Sequence, residues 1–179
     1  MSLERLWAGW RGEYVARAAA GGGDGDGDGE ACVFCRLGAS DEPDEETYVL
    51  WRGRRCAAAL NAFPYTSGHL MVFPMRHVGE MEDLERAEAT ELWDALTDAV
   101  KALKAAYGPD GLNLGVNLGR AAGAGIPGHF HVHALPRWNG DTNFMTTAAE
   151  VRVLPESLPS SWEKVRAGWP SPPARSAAP

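Results

Sequence analysis

The chain has 179 residues, 45% of them apolar and 23% charged, enough for one globular domain with a real core. Its 17 Lys and Arg against 24 Asp and Glu leave a formal charge of −7, which argues against nucleic acid as the main partner, because a polyanion demands a basic face. No stretch is long and apolar enough to span a bilayer, charges interrupt every apolar cluster of residues 1–18, and three cysteines are too few and too odd in number for a disulfide framework. A cytoplasmic chain with reduced thiols, no membrane segment and no secretory leader is therefore expected.

In chain order, Leu3, Leu6, Trp7, Trp10 and Tyr14 mark a short helical face, so residues 1–20 are expected to form an N-terminal helical segment. Residues 21–29, GGGDGDGDG, read as a flexible linker. Asp24, Asp26 and Asp28 mimic the start of an EF-hand loop, but Cys35 stands where its bidentate Glu belongs. A domain over 30–169 follows. It opens with strands at 47–51 and 56–60 joined by a turn at Gly53, then a turn over 61–67 around Pro64, then a third strand at 69–73. Met81, Leu84, Glu88, Leu92, Leu96, Val100, Leu103 and Tyr107 recur at helical spacing and predict one long amphipathic helix stopped by Gly108 and Pro109. The acidic run from Glu80 to Glu91 reads as its solvated face, and Cys56 as a small core residue. A fourth strand at 112–117, a glycine-rich loop at 119–128 and a fifth strand at 129–135 complete an α+β domain with an antiparallel sheet of about five strands. The tail 170–179, rich in Pro, Ser and Ala, is expected to be disordered.

Three of the five histidines fall in HFHVH: His129, His131 and His133. Strand side chains alternate, so all three rings project from one face while Phe130 and Val132 point into the core. Neutral histidines are costly to bury unpartnered and charged ones repel, so the cluster calls for a chemical reason. Two chemistries explain it. The rings chelate zinc and leave a position for water, or one imidazole is a nucleophile that its neighbours orient. The adjoining loop, GRAAGAGIPG, offers backbone amides with few side chains in the way, as a phosphate nest does, and favours attack on phosphorus.

HFHVHAL followed by Pro136 resembles the signature of the histidine triad superfamily, His-φ-His-φ-His-φ-φ with φ apolar, and NAFPYTSGHLMVFPMRH at 61–77 is similar to that family's first-half segment. VNLGRAAGAG before the triad and PRWNGDTNFM after it resemble the bacterial branch that phosphorolyses diadenosine tetraphosphate. The resemblance implies a covalent nucleotidyl intermediate on His131, with His133 contacting the phosphate or leaving group and a backbone carbonyl fixing the nucleophile's tautomer. It further implies that Asn61 contacts ribose or phosphate, that His69 frames the nucleotide pocket, and that Asn117 meets a phosphate oxygen. Gly123 to Gly125 would supply main-chain donors, and Trp138 would lie near the site. The sequence departs from the pattern at Gly125, Ile126, Pro127 and Gly128, which offer neither the hydroxyl nor the basic side chain common in relatives, and this puts the choice of phosphate over water in question.

Cys32 and Cys35 form CVFC, which is either half of a zinc site or two reduced thiols. The resemblance supplies His77 and His129 as the missing ligands of a structural zinc. It also implies at least a homodimer, with a nucleotide and inorganic phosphate as the small-molecule partners and no cofactor needed for the chemistry. Trp7 and Trp10 are read as anchors docking the N-terminal helix, and Asp141 and Asn143 either line the pocket or make a turn. Three readings stand beside phosphorolysis: a hydrolase of the same family acting on dinucleoside polyphosphates or nucleoside phosphoramidates, a metal-dependent hydrolase with a His129, His131, His133 zinc centre, and a nucleotide sensor without catalysis.

Overall fold

The computed structural model describes residues 32–141 and 156–170. The expected N-terminal helix, the Gly/Asp linker, Asn143 and the tail beyond residue 170 lie outside the described residues. Short apolar runs and alternating segments build five strands: β1 (Val49–Arg52), β2 (Cys56–Leu60), β3 (Leu70–Pro74), β4 (Gly111–Gly115) and β5 (Val132–Arg137). They form one antiparallel sheet in the order β1-β2-β3-β5-β4. Gly53 closes the β1–β2 hairpin, its N–H donating to the Cys56 carbonyl over 2.8 Å.

The two faces of the sheet have different covers. Leu50, Ala58, Leu60, Leu70, Val72, Val132 and Ala134 face α3 (Arg86–Tyr107) and α4 (Leu158–Ala167) and form the main core with Leu92, Leu96, Leu103 and Val165. Val49, Ala57, Ala59 and Phe73 face α1 (Val33–Ala39), whose Phe34 is fully buried. A short α2 (Asp44–Thr47) leads into β1, ending at Tyr48 in the left-handed conformation. Strand β2 is buried at all five positions because it lies under helices on both faces, whereas β5 alternates buried and half-buried residues because one of its faces is open. That open face carries the histidines.

Several boundaries differ from the sequence expectation. The long helix begins at Arg86, not at Met81, and a separate 3-10 turn spans Met81–Asp83. The start is set by a capping box: the Glu88 carboxylate accepts from the Glu85 N–H over 2.9 Å while Glu85 caps in return. Glu88 is buried and gripped by Arg76 at 2.9 and 2.7 Å, so its carboxyl sits below the usual carboxylate range, chiefly because of that hydrogen bond. Glu91 accepts from the main-chain N–H groups of Arg55 and Cys56 over 2.8 and 3.0 Å. The acidic run is thus not simply solvated surface, since two of its members tie α3 to the β1–β2 hairpin and to Arg76. Cys56 is a core residue as expected, and burial pushes its thiol up to about 12. The fourth strand ends at Gly115, before Asn117, and the ladder of the fifth starts only at Val132, because the pairing with β3 stops at Val72–Val132 and β4 has already ended opposite His133.

Helices α1 and α4 were not anticipated. The start of α4 was legible: Ser157 caps it, accepting from the Ser160 N–H over 3.5 Å, a proline follows within the first turn, and Leu158, Trp162 and Val165 share a face. No helix among the described residues is long and apolar enough to cross a membrane.

Candidate active site

The triad occupies the part of the sheet face that α1 leaves uncovered. His131 is buried, and its ring lies 4.9 Å between centroids from Phe34 on one side and 4.9 Å from His133 on the other. Its Nδ1–H donates to the main-chain carbonyl of His129 over 2.8 Å. This fixes the tautomer, so Nε2 carries the lone pair. Burial lowers the ring's proton affinity, outweighing the carbonyl's opposite effect, and the imidazole is held neutral. A neutral, oriented imidazole with its lone pair on Nε2 has the form a nucleophilic histidine requires.

A second chain of hydrogen bonds orients His133. The Tyr65 main-chain N–H donates to His69 Nδ1 over 3.1 Å, so the His69 proton lies on Nε2. That Nε2–H donates to His133 Nδ1 over 2.9 Å, which places the His133 proton on Nε2 of a half-buried ring. Burial, and next the His131 ring, push His133 down to about 4. His69, fully buried one residue before β3, thus fixes the orientation of the His133 ring. His69→Phe is expected to lower kcat by about 10- to 100-fold with KM nearly unchanged, whereas His69→Gln, which keeps an N–H donor, should recover part of the loss. Steady-state kinetics on both variants check this, and equal losses would remove the donor role.

The loop between β2 and β3 is built to hold this relay. Asn61 Oδ1 accepts from the Phe63 N–H over 2.9 Å, and the Asn61 amide nitrogen lies 3.4 Å from the His69 ring. Gly68 has φ of +75°, and a Cβ there would meet Tyr107 Cε2 at 2.5 Å, so the residue preceding His69 must be glycine. Across the cleft, Asn117 donates through Nδ2 to the Gly123 carbonyl over 3.5 Å, anchoring the glycine loop. The loop is not an open nest throughout. Residues Arg120–Ala122 make a 3-10 turn, the Gly123 N–H is taken by the Arg120 carbonyl over 2.9 Å, and the Ala124 N–H by the Gly119 carbonyl over 3.3 Å. Gly123 therefore serves as the turn's left-handed cap, with φ of +93°, and its N–H is not presented to an anion in this conformation. Gly125 is exposed and makes no main-chain hydrogen bond among the described residues. The Trp138 ring packs edge-on against Tyr107 at 6.0 Å and meets none of the triad rings. Asp141 closes a turn, accepting from the Arg137 guanidinium and the Trp138 N–H.

The first triad histidine has different work. Its ligand atom, with those of Cys32, Cys35 and His77, lies in a group whose members are all within 4.8 Å of one another. The Cys32 Sγ–His129 Nδ1, Cys35 Sγ–His77 Nδ1 and Cys35 Sγ–His129 Nδ1 separations are 3.3, 3.3 and 3.6 Å. An S–N edge of a tetrahedron around zinc, with bonds of about 2.3 and 2.0 Å, is about 3.5 Å long, so the donor set fits. His129 Nε2–H donates to the Pro74 carbonyl over 2.8 Å, which aims the Nδ1 lone pair at the thiols. Burial pushes His129 down to about 4, leaving it neutral as a ligand must be, and pushes the Cys35 thiol up to about 11, so a cation would have to displace that proton. The three triad rings do not converge on one point: His129 turns to the thiols, while His131 and His133 are committed to a carbonyl and to His69. A tri-histidine chelate is not the arrangement they form.

These features coincide with what the comparisons find. A model of the HIT domain matches residues 42–140, and the chain belongs to that family. An AP-4-A phosphorylase of Mycobacterium tuberculosis is 38% identical over 167 residues, covering 93% of this chain and 85% of that one. A bis(5'-nucleosyl)-tetraphosphatase (asymmetrical) of Schizosaccharomyces pombe is 32% identical over 93 residues, 52% of this chain and 50% of that one. Among solved structures, a Zn-bound histidine triad family protein of Mycobacterium smegmatis superposes with a TM-score of 0.64 at 25% identity, covering 79% of this chain and 95% of that one.

Proposed function

We propose that the protein cleaves dinucleoside polyphosphates by nucleotidyl transfer through His131, taking diadenosine tetraphosphate and inorganic phosphate to ATP and ADP. The observation that carries this reading is the His131 tautomer: Nδ1–H held by the His129 carbonyl and Nε2 left as a lone pair. Nε2 attacks the α-phosphorus, the bond to the bridging oxygen breaks, and ATP leaves as an anion whose departing oxygen accepts a hydrogen bond from His133 Nε2–H. Phosphate then attacks the adenylyl-His131, releasing ADP and restoring the imidazole. The choice of diadenosine tetraphosphate is supported by the name of the 38% identical relative. Asn61 at the mouth of the loop is the residue for a ribose or phosphate, and Asn117 for a phosphate oxygen. We assign zinc to Cys32, Cys35, His77 and His129, where it would act as a structural clamp outside the chemistry.

A hydrolytic second step is the competing reading. Residues 125–128 offer no hydroxyl or cation to select phosphate over water, and one relative bears a tetraphosphatase name. Product analysis with and without phosphate separates the two. ADP with ATP, formed only when phosphate is present, supports phosphorolysis; AMP with ATP, formed equally in both, overturns it. Reduced Cys32, Cys35 and Cys56 fit a cytoplasmic setting.

The site is also expected to sit in a homodimer. Strand β4 ends the sheet, and Leu114, Val116 and Leu118 are exposed there beside Trp93 of α3, whose exposure is 66%. An apolar sheet edge of this kind invites pairing, and a second copy in antiparallel register would bury it. Light scattering should give twice the chain mass, and Leu114→Lys should give a monomer. A monomeric parent protein at assay concentration would refute the pairing.

A further inference from the structure

We propose that Phe63 and Tyr65 form a stacking platform for the purine base of the leaving nucleotide, so that the cleft reads both nucleosides of its substrate. This rests on the assignment of His131 as nucleophile toward a dinucleoside polyphosphate. Phe63 is 85% exposed and Tyr65 50% exposed, so both rings are open to a ligand. Their backbone is not a loose tether. The Phe63 N–H donates to Asn61 Oδ1 over 2.9 Å, Pro64 follows, and the Tyr65 N–H donates to His69 over 3.1 Å. The ends of the loop are tied by Asn61 N–H to the His69 carbonyl at 2.9 Å and His69 N–H to the Thr66 carbonyl at 3.2 Å. The backbone that carries both aromatics is therefore set before any ligand arrives, which lowers the entropic cost of binding.

The position of Tyr65 beside His69 and His133, two residues along the loop from Phe63, names the occupant. Aromatic rings run in a row from Phe34 to His131, then His133, then Tyr65, with the Tyr65 ring 6.2 Å from His133 and within 28° of parallel to it. A substrate whose α-phosphorus meets His131 extends along this row in two directions. One leads to α1, where Phe34, Val33 and Leu37 lie with Ile126. The other leads past His133, the group that donates a hydrogen bond to the departing oxygen, to the loop carrying Tyr65 and Phe63. The leaving half of the substrate must lie on the side of the group that donates to it. A nucleoside triphosphate leaving in that direction ends in a base, and aromatic faces accept any base by stacking without reading its edge.

The discriminating substrate is adenosine 5'-tetraphosphate, which offers the same α-phosphorus but no second nucleoside. Phe63→Ala is expected to raise KM for diadenosine tetraphosphate by about tenfold while changing that for adenosine 5'-tetraphosphate by less than about twofold. Phe63→Trp should keep the parent preference. Tyr65→Ala should raise the same KM and also lower kcat on both substrates, because Tyr65 touches His69 and His133. Equal KM changes for the two substrates in Phe63→Ala, or none for either, would overturn the platform. Mass spectrometry for a histidine adduct in the same samples keeps the failures apart. An adduct in the parent protein with no change of preference in Phe63→Ala removes the platform alone, whereas no adduct from either substrate removes the nucleophile assignment and the platform with it.

Discussion

His131→Asn is expected to abolish turnover, by at least about 10⁴-fold in kcat, while the protein still folds and still binds nucleotide. The reason lies in which nitrogen each partner uses. The Asn amide can offer an N–H to the His129 carbonyl, as Nδ1 does now over 2.8 Å, so the backbone turn between the first two triad histidines keeps its hydrogen bond. What disappears is Nε2, the only atom of the side chain that can bond to phosphorus. His131→Ala loses both and should also cost stability, because the ring packs 4.9 Å from Phe34 in a buried setting. The two variants together therefore separate chemistry from scaffolding: equal catalytic loss with unequal melting temperatures is the expected pattern. Turnover by His131→Asn near the parent rate would remove the covalent mechanism, whatever the binding data show.

The sequence carried the triad, the order of the five strands and the long helix, because each rests on a short-range pattern. Alternation put His129, His131 and His133 on one face, and helical spacing put Leu92, Leu96 and Leu103 on the core side of α3. The residue pattern by itself left the division of labour among the rings open, and only the family resemblance supplied an expectation for it. That division depends on partners far away in the chain: Pro74 and Cys32 for His129, and His69 for His133, brought together only by pairing β3 with β5. The same limit explains α1, where two cysteines and a glycine obscured the helical signal and the burial of Phe34 came from Phe73 and the triad. The glycine loop misled in the other direction. Its composition suggested free amides throughout, but glycines permit tight turns, and a tight turn consumes the N–H groups of Gly123 and Ala124.

Metal removal tests the one residue that joins the two halves of the site. His129 reaches the cysteine cluster through its ring and His131 through its carbonyl, so the clamp on the ring also holds the acceptor that sets the nucleophile's tautomer. The protein as isolated is expected to hold one zinc per chain by elemental analysis, and Cys32→Ser should lose it. Loss of the metal frees the His129 ring and leaves the buried Cys32 side chain and Cys35 without their common partner, so the melting temperature should drop by several degrees. Catalysis should fall by about 10- to 100-fold and not further, since every bond-making group, His131 and His133 included, remains. The His131 Nδ1 proton resonance, sharp in the loaded protein, should broaden or shift on chelation, a readout independent of turnover. The size of the loss decides between roles. If chelation removed activity as completely as His131→Asn does, the metal would belong to the chemistry. If it left both the melting curve and the His131 resonance unchanged, the carbonyl of His129 would be held by the backbone alone.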